Sequence, residues 1–395
     1  MLLHANEQMR DTYGANFTAK EIAQQPELWR NVYEIIEHHY NEIDQFFTNI
    51  FRKHEQVRVI FTGAGTSAFV GDTIAPYIKK MTGGKKLHIE SVPTTNIVSN
   101  PYYYLQKDVP TIMVSFARSG NSPESTAATA LGEQIVTDIY HMILTCNKEG
   151  ELAKKFQQKN NALLLYMPPE ANDQGFAMTG SFTSMMLTAL LLCTYKDVHG
   201  LKTTIMNMVR TGKEIIEKQE SAIQKIAEKH FHKIVFLGSG VFEGLARESA
   251  LKFLELTAGQ IPVMFDTPLG FRHGPKSILK KGTVVVLFLS TNAYTRKYDI
   301  DLLKEVFAEK ERNDIIVVAH QENEDARKYC DTFLCHDGED VTDDVYVTFF
   351  YILYGQILAL HKSITLGITP DNPCPSGSVN RVVQGVTIHS YVEGE

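Results

Sequence analysis

Four short apolar runs occur twice in this chain, in the same order and at nearly the same separation. VIFTGAGTS around Gly63 returns as IVFLGSGVF around Gly238, 175 residues on. TIMVSF from Thr111 returns as TVVVLFLS from Thr283, 172 residues on. HMILTCN from His141 returns as DIIVVAH from Asp314, and ALLLYMP from Ala162 returns as TFLCHD from Thr332, 173 and 170 residues on. Four ordered pairs imply a duplicated domain. Short apolar runs joined by helical patterns predict an α/β fold with a parallel sheet in each copy, buried on both faces. The chain divides accordingly into a helical segment over 1–50, broken at Pro26, and a first α/β domain over 51–200. A polar linking helix follows over 201–229, then a second domain over 230–368 and a tail over 369–395.

Composition narrows the function. The 395 residues are 44% hydrophobic and 22% charged, enough for two domains with full cores. A formal net charge of -7 gives no basic footprint for nucleic acid. No basic start leads into an apolar stretch, so no signal peptide is expected. The longest apolar run, Met185–Cys193, is too short to span a bilayer and reads as a buried helix. The five cysteines include no CxxC pair. Free thiols in a reducing cytoplasm are expected, with no metal site and no cofactor.

In open parallel sheets, ligands bind beyond the carboxyl ends of the strands. Two turns of the first copy belong there. GAGTS carries Gly65, Thr66 and Ser67, and ARSGNSPES carries Arg118, Ser119, Gly120, Asn121 and Ser122. Each is a strand, then glycine and hydroxyl residues, then a helix. Glycine lets backbone approach a ligand, hydroxyls donate, and the helix start adds unused amides and partial positive charge. Ser122 is placed to cap a helix that opens with Pro123. One such turn alone is ordinary punctuation. Two in one domain favour a small phosphorylated ligand. Neither matches the dinucleotide or P-loop pattern. The second copy has STNAYTRKYD at the matching strand end, without glycine, so a ligand role there is expected to be lost.

In VFEGLARESALKFLELTAG, Glu248, Lys252 and Glu255 share one helical face. Spacing alone gives the solvated face of a surface helix. The position after a strand-end glycine turn argues for more, as does TPLGFRHGPKS soon after. That segment sets His273 in a loop bracketed by glycine and proline.

SGNSPES, RESALKFLE and FRHGP together resemble the SIS (sugar isomerase) domain family, and specifically the isomerase part of glucosamine-6-phosphate synthase. FTAKEIAQQPELW and the ARSGNSPES variant resemble its AgaS-type galactosamine-6-phosphate deaminase/isomerase subgroup, known in older usage as tagatose-6-phosphate ketose/aldose isomerase. The resemblance runs from about residue 18 to 390. It implies two tandem SIS domains, each a flavodoxin-like sheet flanked by helices. It also implies phosphate binding by Thr66, Ser67, Ser119 and Ser122, and proton transfer between sugar C1 and C2 by Glu255. Glu248 and Lys252 become its partners, and His273 opens the sugar ring from a neighbouring subunit of a homo-oligomer. Thr179, in FAMTGSFT, is implied to line the sugar. No glutaminase segment is expected, so ammonia is not drawn from glutamine. Three positions depart from the synthase pattern. Ala117 replaces a serine, Arg118 replaces a glutamine with a guanidinium suited to phosphate, and Gln384 replaces a reactive lysine. The implied reaction converts galactosamine 6-phosphate to tagatose 6-phosphate and ammonia. Plain aldose–ketose isomerisation and a sugar-phosphate-binding regulatory role are the alternatives.

Overall fold

A computed structural model describes residues 1–309, 314–338, 341, 343–383 and 385–394. Gln384 lies outside the described residues. Within them ten strands form two sheets, each wholly parallel. The first sheet holds β1 (Val57–Thr62), β2 (Leu87–Ser91), β3 (Thr111–Ala117), β4 (Ile139–Thr145) and β5 (Ala162–Tyr166), in the order β2-β1-β3-β4-β5. The second holds β6 (Lys233–Gly238), β7 (Val263–Asp266), β8 (Thr283–Phe288), β9 (Asp314–Ala319) and β10 (Thr332–Cys335), in the matching order β7-β6-β8-β9-β10. Both are flavodoxin-like orders. The four repeated runs are β1/β6, β3/β8, β4/β9 and β5/β10.

Helices α1 (Glu7–Thr12), α2 (Asn16–Ala23), α3 (Gln25–His38) and α4 (Tyr40–Phe51) fill the N-terminal segment, with the break just before Pro26. The first copy continues with α5 (Thr66–Thr82), α6 (Thr94–Ser99), α7 (Pro101–Tyr104), α8 (Pro123–Ile135), α9 (Glu151–Phe156) and α10 (Gly180–Cys193). After α11 (Lys202–Ala227) come α12 (Val241–Leu256), α13 (Pro268–Phe271), α14 (Ala293–Ala308), α15 (Glu324–Lys328) and α16 (Asp344–Thr365).

Every position of β1, β3 and β8 is buried, as helices on both faces require. Arg58 survives inside β1 because its guanidinium pairs with Glu90 of β2, Nη2 to Oε2 at 2.6 Å. The apolar run Met185–Cys193 lies in α10, which is buried from Gly180 through Leu192. Among the described residues no helix is long and apolar enough to cross a membrane. All five cysteines are free.

The chain forms two compact units that are not successive along it. One combines Met1–Glu27, Asp173–Thr179 and Thr203–Pro375; the other combines Leu28–Asn172, Gly180–Lys202 and Ser376–Glu395. Buried polar groups of the first unit explain its reach. Glu220 of α11 is fully buried and accepts the amides of Leu2 (2.6 Å) and Leu3 (3.1 Å) and a bond from His361 Nε2 (3.1 Å). Lys362 of α16 donates to the carbonyls of Ala227 (3.0 Å) and Lys229 (2.8 Å) at the end of α11. The helix expected as a link is therefore built into the second sheet's unit. Asp371 accepts the amides of Phe17 and Thr18 and so holds the start of α2 in the same unit.

His141 of β4 is fully buried, its ring 4.4 Å from that of Phe156. Neither ring nitrogen has a hydrogen-bond partner among the described residues. Burial, opposed by the nearby Glu133 carboxylate, pushes its pKa down to about 4. The unfolded chain then binds the proton more tightly, so stability falls as pH drops from the ordinary value of 6.5 toward 4. Urea denaturation should show the wild type losing about 2 kcal/mol more between pH 7 and pH 5 than His141→Phe. Equal losses would assign the acid sensitivity to other groups.

Candidate active site

β1 and β3 are neighbours in the first sheet, with Thr62 opposite Ser115 near their carboxyl ends. Both glycine-serine turns therefore open at the same end of one sheet. After β1 the chain approaches its own helix closely: a Cβ on Gly63 would lie 2.6 Å from Ser67 Cβ. Gly65 precedes α5 with φ 56°, and Thr66 and Ser67 form its first turn, both buried. After β3, Gly120 adopts φ +66°, a conformation that disfavours any side chain. Ser122 stands at the N-cap of α8 with Pro123 at the first position, but its hydroxyl does not cap an amide. It pairs instead with Ser125 Oγ at 2.6 Å.

The second turn is held from behind. Asn147 Nδ2 donates to the carbonyl of Ser119 at 2.8 Å, and the Leu152 amide donates to that of Gly120 at 3.1 Å. Asn121 Oδ1 accepts the Glu151 amide at 2.9 Å, so this side chain braces α9. Arg118 is buried and donates from Nη2 to the Arg381 carbonyl at 2.8 Å.

The other unit carries the charged helix. Glu248 and Lys252 of α12 are both 0% exposed, and Glu255 is 23% exposed. The solvated face suggested by spacing is thus corrected. α16 packs over α12, and a Cβ on its Gly355 would lie 2.8 Å from Ser249 Oγ, so a larger residue there would make Ser249 shift. Lys252 Nζ stands 2.5 Å from Glu255 Oε2 and 3.6 Å from Glu248 Oε1. A buried ammonium this close to carboxylates is tolerated because they compensate it. The result is a part-exposed carboxylate held in one orientation from behind, the form a general base needs.

His273 lies in the turn between α13 and a short 3-10 segment, Pro275–Ile278, and is exposed. Arg272 and Lys276 both pair with Glu305 of α14, so the turn is tethered on each side. Thr179 is fully buried; its amide (2.9 Å) and hydroxyl (3.1 Å) both donate to Asp173. Beside it, Glu21 accepts the amides of Gln174 and Gly175. Burial and the Asp173 carboxylate push the Glu21 carboxyl up to about 8.

The SIS domain model matches residues 52–195 and 225–365. The chain belongs to the SIS domain family. It is 41% identical over 393 residues, 99% of this chain and 96% of the relative, to D-galactosamine-6-phosphate deaminase AgaS of Shewanella sp. (strain ANA-3). A solved structure from Clostridium novyi NT superposes with TM-score 0.94 at 44% identity, covering 99% of each chain. Tagatose-6-phosphate ketose/aldose isomerase from Escherichia coli superposes with TM-score 0.88 at 37% identity, covering 98% of each.

Within this SIS chain the structure brings Glu248, Lys252 and Glu255 together on one helix, and Gly65–Ser67 together with Arg118–Ser122 at one sheet end. Sequence reasoning missed Asn147, Asp173 and Glu21. Asn147 and Glu21 bond backbone groups 28 and 153 positions away, Asp173 bonds Thr179 six positions on, and no sequence motif marks any of them. Substituting Lys252 by methionine removes the buried ammonium that stands between the carboxylates of Glu248 and Glu255. Chemical denaturation should show Lys252→Met destabilised by about 3–5 kcal/mol. A change within ~0.5 kcal/mol would mean the triad's charges do not hold the helix in place.

Proposed function

We propose that the protein is an amino-sugar phosphate deaminase/isomerase acting on galactosamine 6-phosphate. The observation that carries this reading is Glu255, part-exposed and fixed by the buried Lys252. The naming of the 41%-identical relative as a galactosamine-6-phosphate deaminase supports the choice of sugar. Phosphate is held by the turns at Gly65–Ser67 and Arg118–Ser122, while Thr179, implied by the resemblance to line the sugar, is fully buried and bonded to Asp173. His273 opens the pyranose ring by acid–base transfer. Glu255 removes the C2 proton of the open-chain aldehyde and delivers it to C1. As the amine nitrogen gives up one proton and the aldehyde oxygen takes one up, C1 becomes a primary alcohol and C2 an imine. Water adds to the imine, the C–N bond breaks, and tagatose 6-phosphate and ammonia leave. Lys252, with Glu248 behind it, orients Glu255 and offsets its charge. The reaction as written needs no metal and no redox cofactor, and we place it in the cytoplasm.

Incubation with galactosamine 6-phosphate should release ammonia, and glucosamine 6-phosphate should release far less. Ammonia from neither sugar would remove the deaminase reading. Glu255→Gln should lower turnover at least ~10²-fold while sugar-phosphate binding persists. Normal turnover in that variant would exclude Glu255 as the base.

The exposure of His273 fits a role in a neighbouring subunit's site. Co-expression of Glu255→Gln and His273→Asn chains tests this. If His273 acts across subunits, mixed oligomers regain activity, because one site combines an intact Glu255 with an intact His273. Activity no higher than in the separate variants would place His273 in its own chain's site.

A further inference from the structure

The second copy keeps the backbone of the first glycine turn, loses the left-handed glycine of the second, and fills the two strand ends with its own carboxylates. Gly238 repeats the close approach of Gly63, since a Cβ there would lie 2.6 Å from Phe242 Cβ. Gly240, with φ 63° and ψ -121°, repeats Gly65, with φ 56° and ψ -129°. β6 and β8 are paired neighbours as β1 and β3 are. The donors one expects around an anion are present: the Ser239 hydroxyl after β6, and Ser290 and Thr291 after β8. All of them bind two aspartates. Asp299 accepts from Ser239 Oγ at 2.7 Å and from the Ser290 amide at 3.0 Å. Asp344 accepts from Ser290 Oγ at 2.5 Å, and from the amide and hydroxyl of Thr291, both at 2.7 Å.

The first copy lacks both carboxylates at the matching positions. Asp299 is the seventh residue of α14, and the seventh residue of α8 is Thr129. Asp344 opens α16, and α10 opens with Gly180. A small cavity already lies beside the filled cradle, lined by Ser290, Thr291, Arg296, His320 and Asn323. Arg296 holds the loop, donating from Nη1 to the carbonyls of Ser290 (3.3 Å) and Thr291 (2.9 Å). Asp299 is fully buried.

We propose that the second copy holds a latent phosphate cradle in which Asp299 and Asp344 stand as resident anions. The donors recognise a tetrahedral oxyanion as they do a carboxylate pair: backbone N–H and hydroxyls converge at the ends of β6 and β8, beside helix starts. While the aspartates are in place, their negative charge and hydrogen bonds exclude a phosphate ester. Replacing them by the first copy's residues opens the site to one. This rests on reading the first copy's turns as a phosphate site.

The test is titration calorimetry with inorganic phosphate on the full chain. Wild-type uptake reports the first cradle, so failure of that reading shows as no uptake by the wild type. The Asp299→Thr/Asp344→Gly variant should bind one further equivalent of phosphate per chain. A folded double variant whose uptake equals the wild type's overturns the proposal. Should the double variant fail to fold, Asp344→Gly alone decides: its melting temperature should rise more with added phosphate than the wild type's. An equal rise overturns the proposal.

Discussion

A lysine ammonium without water around it sets the terms for the second sheet's unit. Lys252 is 0% exposed, and Glu248 and Glu255 of the same helix stand beside its Nζ. Apolar residues of similar volume would stabilise such a position as well or better. Its presence therefore points to work done on the neighbouring carboxylate. The buried ammonium fixes Glu255 from behind and leaves one side of that carboxylate toward solvent. α16 covers α12 in this arrangement, and Gly355 lets it come close at Ser249. Thus one desolvated charge constrains a helix pair and the direction of the carboxylate proposed as the base.

Much of the fold was legible because parallel strands buried on both faces leave unbroken apolar runs. β1, β3 and β4 and their counterparts have such runs; β2 and β7 do not. β2 reads LHIES and alternates between buried and exposed at the sheet edge, and β7 has four residues, none fully buried. Both edges were invisible to a search for continuous hydrophobicity. The charged face of α12 was misjudged by spacing for a different reason. A 3.6-residue period tells which side chains share a face, but not whether water or another helix covers it. The interleaving of the two units was likewise hidden. It rests on Glu220 receiving the amides of Leu2 and Leu3, and on Asp371 receiving those of Phe17 and Thr18. Those bonds join residues more than 200 positions apart.

The site was legible in its motifs and not in its supports. GAGTS and RSGNS announce themselves by glycine and serine. Asn147, which braces Ser119, and Asp173, which braces Thr179, look like ordinary turn residues. Expected roles also divide on inspection. Asn121 spends its side-chain oxygen on α9, whereas Thr66 and Ser67 sit in the helix's first turn, where amides lack intrahelical partners. If the loop holds phosphate as proposed, its donors are backbone amides and hydroxyls rather than the Asn121 side chain, whose oxygen is taken by α9.

Arg118 binds this loop to the end of the chain. Its guanidinium is buried and reaches the Arg381 carbonyl, while farther along the tail Gln134 Nε2 donates to the Tyr391 carbonyl at 3.1 Å. Tyr391 also packs against the core cluster that includes Leu131 and Val136. The tail over 376–395 is thereby part of the unit that carries the glycine-serine turns. A guanidinium has five N–H donors in a fixed fork, so the bond to Arg381 orients the whole group. If the loop holds phosphate as proposed, that orientation makes tail order and phosphate affinity two readings of one equilibrium. Whatever loosens the tail then weakens the anion's hold, and by linkage the anion steadies the tail. A glutamine at 118, with a single amide and no charge, would provide far less of this coupling.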